Sequence, residues 1–491
     1  MGNECKMEDI LIEEIKRRSV VSLFSVSFCQ IFAQLVSSIL GIFIARRLHP
    51  GMFGMFAIVN FVITFAALIR EMGLGMALIQ KKEELDKDDI TTAFTIQFFL
   101  SLVLVLGILL FGRCIVRWYK LPFDGEKMLL VCSTVLIFYT FSGISSSKLI
   151  RSLQLNKVSF IWMINNIFFQ TLTLVFAYSG YGVWSFIWAT IITGAVSAAL
   201  FYHLSPWHVC FGINIARMKR LLKFGIPYQM YGVVNILKEA VNPAIVGKFC
   251  NEDSVGYFDW SSKTISFSVI FNSMLNQITF PLFSRLQENN ELLASAIEKA
   301  LKLSSMMFYP LFSAIIVFIE PIVHYVYTDK WFAAVPAFYL LAASILLTGP
   351  IGMTFFNAFS AVGKPHWATN FNVLYCVLNY ALGALFVAKY DFIGLALAKV
   401  VISYVTLFPL YILLKRISSQ VHVFNNILPY LFCCLPVALF FKMFAMKFIN
   451  NVLSLLVMMF LCVVCCYLVI FIFKRREILE EYSKVKEIFL K

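Results

Sequence analysis

Long apolar runs follow one another along almost the whole chain, and they constrain the fold more than any other feature. A transmembrane helix needs about 20 mostly apolar residues. Fourteen runs meet that length: 20–44, 54–79, 91–112, 128–149, 159–178, 183–203, 224–248, 255–283, 298–319, 335–361, 367–388, 392–414, 426–446 and 452–473. Only 14% of the 491 residues are charged and 60% are hydrophobic. No single water-soluble core could hide that much apolar surface. Hydrocarbon also forbids unpaired backbone groups, so the spans must be helices or a closed barrel. Runs of this length specify helices. The expected fold class is therefore all-α integral membrane, with about 14 transmembrane helices.

The net charge of +14 comes from 41 Lys and Arg against 27 Asp and Glu. These cations form short clusters between apolar runs rather than one patch or arm, which argues against a nucleic-acid partner. Their distribution sets topology instead. With the N-terminus in the cytoplasm, 26 fall on the cytoplasmic side, 11 on the opposite side and 4 within spans. Cytoplasmic loops carry the excess of Lys and Arg, so both termini are expected in the cytoplasm.

The first 18 residues hold Glu13, Glu14, Lys16, Arg17 and Arg18 and no small-residue cleavage site, so no cleavable signal is expected. Residues 1–19 read as a cytoplasmic amphipathic N-terminus, with Ile10, Leu11 and Ile15 on one side of a short surface helix over 8–18. The remaining organisation follows: a lobe of spans one to six over 20–203, a basic cytoplasmic linker over 204–223, and a second lobe of spans seven to twelve over 224–414. Spans thirteen and fourteen cover 415–473, and a basic cytoplasmic tail covers 474–491.

An internal repeat supports two lobes. Residues 44–56, IARRLHPGMFGMF, align with 246–258, VGKFCNEDSVGYF, at an offset of 202. Arg46 then meets Lys248, Gly54 meets Gly256 and Phe56 meets Phe258. Six spans separate the copies. An even number preserves orientation, so the pseudo-symmetry axis lies along the membrane normal. The spans of the second lobe carry Pro243, Pro281, Pro310, Pro350 and Pro409, whereas those of the first carry none. Proline bends helices, which fits either a moving lobe or static kinks.

No enzyme constellation is present in the sequence. The six histidines are scattered without metal-ligand spacing, and there is no phosphate-binding G-x-x-x-x-G-K-[ST]. Twelve cysteines include the pair Cys462 and Cys465 in a C-x-x-C, but it stands in apolar sequence with no second ligand pair. These read as reduced, small hydrophobes. No cofactor is expected. Gly73 and Gly75 give a lone G-x-G that marks helix packing or a break.

The informative residues are charges within spans. A charge at bilayer depth costs at least ~2.5–3.5 kcal/mol and should face the bundle interior. The set is Arg70, Glu71, Lys238, Glu239, Asp259, Lys263 and Lys399, with Asn235, Asn242, Asn272, Asn276 and Gln277 nearby. Asp259 and Lys263 stand four apart and can pair on one helix face. Arg70 and Glu71 are adjacent, about 100° apart on a helix, so they are not expected to point the same way. Four cations against three carboxylates suit an anionic cargo such as a diphosphate joining sugar to lipid. Arg70, Lys238, Lys263 and Lys399 are the candidate anion contacts. Glu71, Glu239, Asp259 and Asn242 are candidates for coupling-ion sites or structural partners.

At this point two segments resemble a known family. Ala45–Gly54 and Arg70–Gln80, within LGIFIARRLHPGMFGMFAIVNFVITFAALIREMGLGMALIQ, are similar to the A-R-x-L-x-P-x-x-F-G turn and the R-[DE]-x-G-L-G-x-A-L-I-Q segment of the polysaccharide flippases, the Wzx-type O-antigen and colanic-acid exporters. The stretch Phe224–Gln287, with FGIP and PLFSRLQ, looks like the second-lobe counterpart. The resemblance covers about residues 20–415. It implies the multidrug/oligosaccharidyl-lipid/polysaccharide exporter fold, two pseudo-symmetric six-helix lobes plus two C-terminal helices, in the bacterial inner membrane. It implies flipping of undecaprenyl-diphosphate-linked repeat units to the periplasmic leaflet. Na+ or H+ would be the coupling ion, and membrane lipids and a polysaccharide polymerase complex the partners. Relatives often carry an acid five residues before the glycine matching Gly247, where this chain has Asn242, with Glu239 one turn earlier. A drug/cation antiporter of the same fold, or a membrane-embedded polymerase or acyltransferase, are the alternatives. The first calls for an anionic, aromatic-lined cavity, the second for a catalytic group on a sizeable loop.

Overall fold

A computed structural model describes Val26 and residues 28–122 and 124–489. The surface helix expected over 8–18 lies outside the described residues, as do the side chains of Asn276, Gln277 and residues 476–489. Every regular element among the described residues is helical. Among the described residues, ten helices are long and apolar enough to cross a membrane, or eleven if the bent pair Asp329–Ile345 and Thr348–Ala361 forms one span. The protein is a multi-span membrane protein.

The chain packs as two units that divide between Gly256 and Tyr257. In the first, α1 (Phe28–Arg47) leads into α2 (Pro50–Glu71), α3 (Leu74–Gln80) and α4 (Lys87–Tyr119). Next come α5 (Gly125–Ser133), α6 (Val135–Arg151), α7 (Leu155–Tyr178), α8 (Trp184–Leu204) and α9 (Ile215–Glu239). A π turn, Asn242–Val246, and a single helical turn, α10 (Gly247–Phe249), precede α11 (Glu252–Ser266), which crosses the division. The second unit continues with α12 (Ile270–Leu286), α13 (Asn290–Pro321), α14 (Val335–Ile345), α15 (Thr348–Ala361), α16 (Pro365–Ile417), α17 (Val423–Phe444) and α18 (Val452–Phe489).

The fourteen expected spans and the ten apolar helices differ for physical reasons. The runs 367–388 and 392–414 both lie in α16, which breaks at Tyr390 and at Asp391 (φ 55°, ψ −151°). There the chain doubles back so far that a Cβ on Gly394 would fall on Phe386 O. The runs 224–248 and 255–283 fall on α9 and on α11–α12. Their polar residues, among them Gln229, Lys238, Glu239, Asp259 and Lys263, hold these helices below the hydropathy of the other spans.

Lipid tails are as apolar as leucine, so membrane helices associate through close packing, small residues and buried polar contacts. The first unit uses all three. Its core joins Val59, Ile63 and Ala66 of α2 to Ile108, Met128, Leu129, Leu136 and Ile187. The start of α2 packs on the start of α11. A Cβ on Gly54 would collide with Glu252 O, and one on Gly256 with Pro50 O. His49 Nδ1 lies 3.1 Å from Asp253 Oδ1 at the same place. Pro50 and Glu252, the first residues of these helices, are 202 apart, the offset of the repeat.

At the other end of α2 a charged cluster fastens the α3–α4 loop to α9. Asp89 is 1% exposed. Its carboxylate accepts from Lys81 Nζ at 2.6 Å and from Arg217 Nη1 at 3.2 Å. Arg217 Nη2 also reaches Asp86 at 2.6 Å, and Arg220 pairs with Glu83 at 3.2 Å. Trp207 closes the segment before α9, stacking edge-on against Phe94 and donating to Ser145 Oγ at 3.1 Å.

In the second unit, Ser304 donates to Asn272 Oδ1 at 3.0 Å and to Pro350 O at 3.1 Å, while Asn272 Nδ2 donates to Gly349 O at 3.0 Å. This polar knot ties α12, α13 and α15 together. Trp260, Tyr327 and Trp331 of the same unit form an aromatic cluster, with ring centroids 5.2–6.5 Å apart.

Candidate functional site

The R-E-M-G-L-G segment folds as its glycines dictate. Helix α2 stops at Glu71 because Met72 (φ 45°) and Gly73 (φ 68°) both take the left-handed conformation, which Gly adopts at no steric cost. The gap at Gly73 is filled by backbone: a side chain there would strike Gly225 of the F-G-I-P segment on α9. Gln229 Nε2 then donates to Leu68 O at 2.9 Å, satisfying a carbonyl in the last turn. The G-x-G thus marks both a break and a close helix approach.

The break opens onto a cavity of about 840 Å³ inside the first unit, walled by α2, α3, α4, α6, α7 and α8. Arg70 and Glu71 both line it, beside Gly75 and Met76 of the next helix. Although adjacent residues on a helix stand about 100° apart, both meet the cavity wall at the end of α2. Among the described residues, Arg70 and Glu71 are the only charged ones in the lining. The rest of the polar wall is neutral: amides at Asn60, Gln97, Asn165, Asn166 and Gln170, and hydroxyls on α6 and α8. Phe56, Tyr139, Trp162 and Phe169 supply aromatic faces.

Arg70 is 6% exposed. Its Nη1 donates to Thr140 Oγ1 at 3.3 Å, Thr140 stands 3.1 Å from Ser101 Oγ, and Ser101 donates to Gln97 O at 2.7 Å. This chain of hydroxyls orients the guanidinium without neutralising it. Arg70 Nε is buried with no partner, and no ion pair forms with Arg70 among the described residues. A buried charge is normally paired. One edge of the Arg70 fork is held by Thr140, and Nε is left over. Three more buried, unpartnered polar atoms belong to the same lining: Gln97 Oε1, Asn165 Oδ1 and Thr193 Oγ1.

The other candidate residues are spread. Lys238 is half-buried and Glu239 exposed at the end of α9, and neither lines this cavity. Asn242 is buried in the π turn, its Nδ2 donating to Val255 O at 3.3 Å and its Oδ1 unpartnered. In the second unit, Lys263 pairs with Asp259 at 2.7 Å, the i,i+4 contact expected from spacing. Lys399 Nζ lies 5.1 Å from the centroid of the Phe258 ring. The structure gathers Arg70 and Glu71 in one cavity. It also reveals a set not singled out from sequence, Asn60, Gln97, Asn165, Asn166 and Gln170. Their signal was present: amides are rare in lipid-facing sequence and act as polar glue or lining, and Asn165, Asn166 and Gln170 interrupt an otherwise apolar run.

Comparison with known proteins identifies the family. Residues 43–336 match the model of a family described as polysaccharide biosynthesis protein, and the chain belongs to that family. The resemblance read from Ala45–Gly54, Arg70–Gln80 and Phe224–Gln287 is borne out. Among named relatives, the chain is 21% identical to the succinoglycan biosynthesis transport protein ExoT of Rhizobium meliloti (strain 1021), over 65% of either chain. It is 19% identical to the teichuronic acid biosynthesis protein TuaB of Bacillus subtilis (strain 168), over 57% of this chain and 58% of that one. The chain thus spans somewhat less than two thirds of the length of these relatives. In fold it is similar to the lipid II flippase MurJ in its inward closed conformation, with a TM-score of 0.78 and 18% identity over 92% of this chain and 99% of that one.

Proposed function

We propose that this protein flips an undecaprenyl-diphosphate-linked oligosaccharide from the cytoplasmic to the periplasmic leaflet of the bacterial inner membrane. It does so by alternating access between two six-helix lobes with two further C-terminal helices, fourteen spans in all, and with both termini in the cytoplasm. The reading rests on Arg70: a buried guanidinium in no ion pair among the described residues, set beside Glu71 in an amide-rich cavity. Arg is a planar fork that fits phosphate oxygens with two parallel hydrogen bonds. A diphosphate supplies the missing acceptor, and the amides suit the sugar. Lys238, Lys263 and Lys399 serve as further anion contacts along the route. Glu71, Glu239, Asp259 and Asn242 are the candidates for coupling to Na+ or H+. The protein makes and breaks no covalent bond. It delivers its cargo to a polysaccharide polymerase.

The names of the relatives support this reading, since ExoT and TuaB are a succinoglycan transport protein and a teichuronic acid biosynthesis protein. A cation antiporter would favour a net negative cavity, whereas here Glu71 is offset by Arg70. The test is reconstitution. Proteoliposomes holding the purified chain should carry a polyprenyl-diphosphate oligosaccharide to the opposite leaflet, read by its oxidation with membrane-impermeant periodate. Arg70→Ala should slow this at least tenfold. Protein-independent rates with every such donor would refute the proposal.

A further inference from the structure

Between α8 and α9, residues 205–214 form no regular element, and side chains of α4, α6 and α8 hydrogen-bond their backbone. Ser145 Oγ donates to Ser205 O at 3.1 Å, Lys148 Nζ to Pro206 O at 2.7 Å and Tyr202 Oη to Trp207 O at 3.1 Å. Further on, the Gly212 N–H donates to Thr95 Oγ1 at 3.1 Å and the Asn214 N–H to Thr92 Oγ1 at 3.2 Å. Each such bond satisfies a backbone group that hydrocarbon would leave unmet.

Helix α4 sets the depth of this segment. Residues 90–112 carry no charge. Thr95 lies about 9 Å along the axis beyond Asp89, at a rise of about 1.5 Å per residue. Phe211 sits against Phe94, Phe98 and Phe99 of that uncharged run, with ring centroids 5.3–6.0 Å apart. From Phe99 the same face of α4 continues through Val103, Leu106 and Leu110, an exposed apolar stripe at helical spacing. The composition of the segment agrees with that depth. No Lys, Arg, Asp or Glu occurs from Leu204 to Ala216, and the basic residues begin at Arg217. Val209, Phe211, Ile213 and Ile215 alternate along the chain and are 43–62% exposed. An interfacial segment buries such a face about 5–10 Å into the boundary between headgroups and acyl chains.

We infer that residues 208–215 are a membrane anchor: they dip among the lipid chains of the leaflet at the end where α4 begins, held there by Thr92 and Thr95. The partner of this surface is the bilayer itself. Lys219 and Lys223, exposed and four apart on α9, mark the return to the headgroups. The linker over 204–223 is thus two parts, an apolar one in the leaflet and a basic one at its surface.

The experiment uses the full-length chain freed of its native cysteines, reconstituted in vesicles of phosphatidylcholine and phosphatidylglycerol. A nitrobenzoxadiazole label on Ile213→Cys should be quenched by phospholipid carrying a nitroxide near the headgroup end of its chain. It should resist aqueous iodide at least threefold better than the same label on Lys219→Cys. Val209→Cys repeats the measurement should Ile213→Cys be produced poorly. Adding Thr92→Val and Thr95→Val should raise iodide quenching of the Ile213→Cys label at least twofold, as the released backbone turns to water. Equal iodide quenching of the Ile213→Cys and Lys219→Cys labels would overturn the inference, since the segment would then lie in water. Quenching by neither agent would overturn it too, since the segment would then lie inside protein. Unchanged shielding in the double threonine variant would overturn the hold assigned to these hydroxyls.

Discussion

Replacing Arg70 by Met removes a guanidinium that has one hydrogen bond, to Thr140, and no ion pair. Exchanging buried charge for apolar volume is often neutral or stabilising. Arg70→Met should therefore keep or raise the midpoint of thermal unfolding in detergent while transport falls at least tenfold. A purely structural arginine would lose both. Arg70→Lys should keep part of the transport, because the charge remains but the planar fork does not. Gly73→Ala should behave oppositely. It places a side chain at φ 68°, at a cost of about 1–2 kcal/mol, and drives it into Gly225. The unfolding midpoint should drop. Arg70 stood out from the sequence because charge is rare in apolar runs. Gln97 did not, because a single amide in a span is as often a packing contact, and only the fold shows that its carbonyl is unmet.

At the scale of helices, the cluster at Asp89 predicts a ranking. Asp89 is buried and accepts from Lys81, whose side chain is 7% exposed. Truncating one partner of a buried pair leaves the other uncompensated, at roughly 3–5 kcal/mol. Asp89→Ala should therefore destabilise far more than Arg220→Ala, since Arg220 and Glu83 are both exposed and such pairs contribute about 0–1 kcal/mol. Thermal unfolding of the two variants decides it; equal losses would contradict the ranking. Helix breaks were largely legible. The Gly73–Gly75 pair announced one, and the polar Lys389–Asp391 stretch placed the boundary between two runs where α16 breaks. The runs 224–248 and 255–283 were legible only by length, because the polar residues of α9, α11 and α12 dilute their hydropathy.

For the whole molecule, the bias of Lys and Arg gives a topology that labelling can check. In a variant freed of its native cysteines, Lys219→Cys should react with an impermeant maleimide only from the cytoplasmic face and Lys127→Cys only from the opposite face, both positions being exposed. Reaction of both from one side would remove the fourteen-span arrangement. The all-helical membrane class followed from the apolar runs alone, and the repeat offset from a handful of glycines and basic residues. The cavity did not follow, because its amides are scattered over three helices and come together only when α2, α4 and α7 pack.

Gly54 and Gly256, counterparts in the repeat, lie against each other backbone to backbone. Any methyl added to either wedges open the same seam. Two such changes should thus cost little more than one, a non-additivity expected of residues in direct contact. The two glycines thus share one fate: neither can gain a side chain without the other helix registering it.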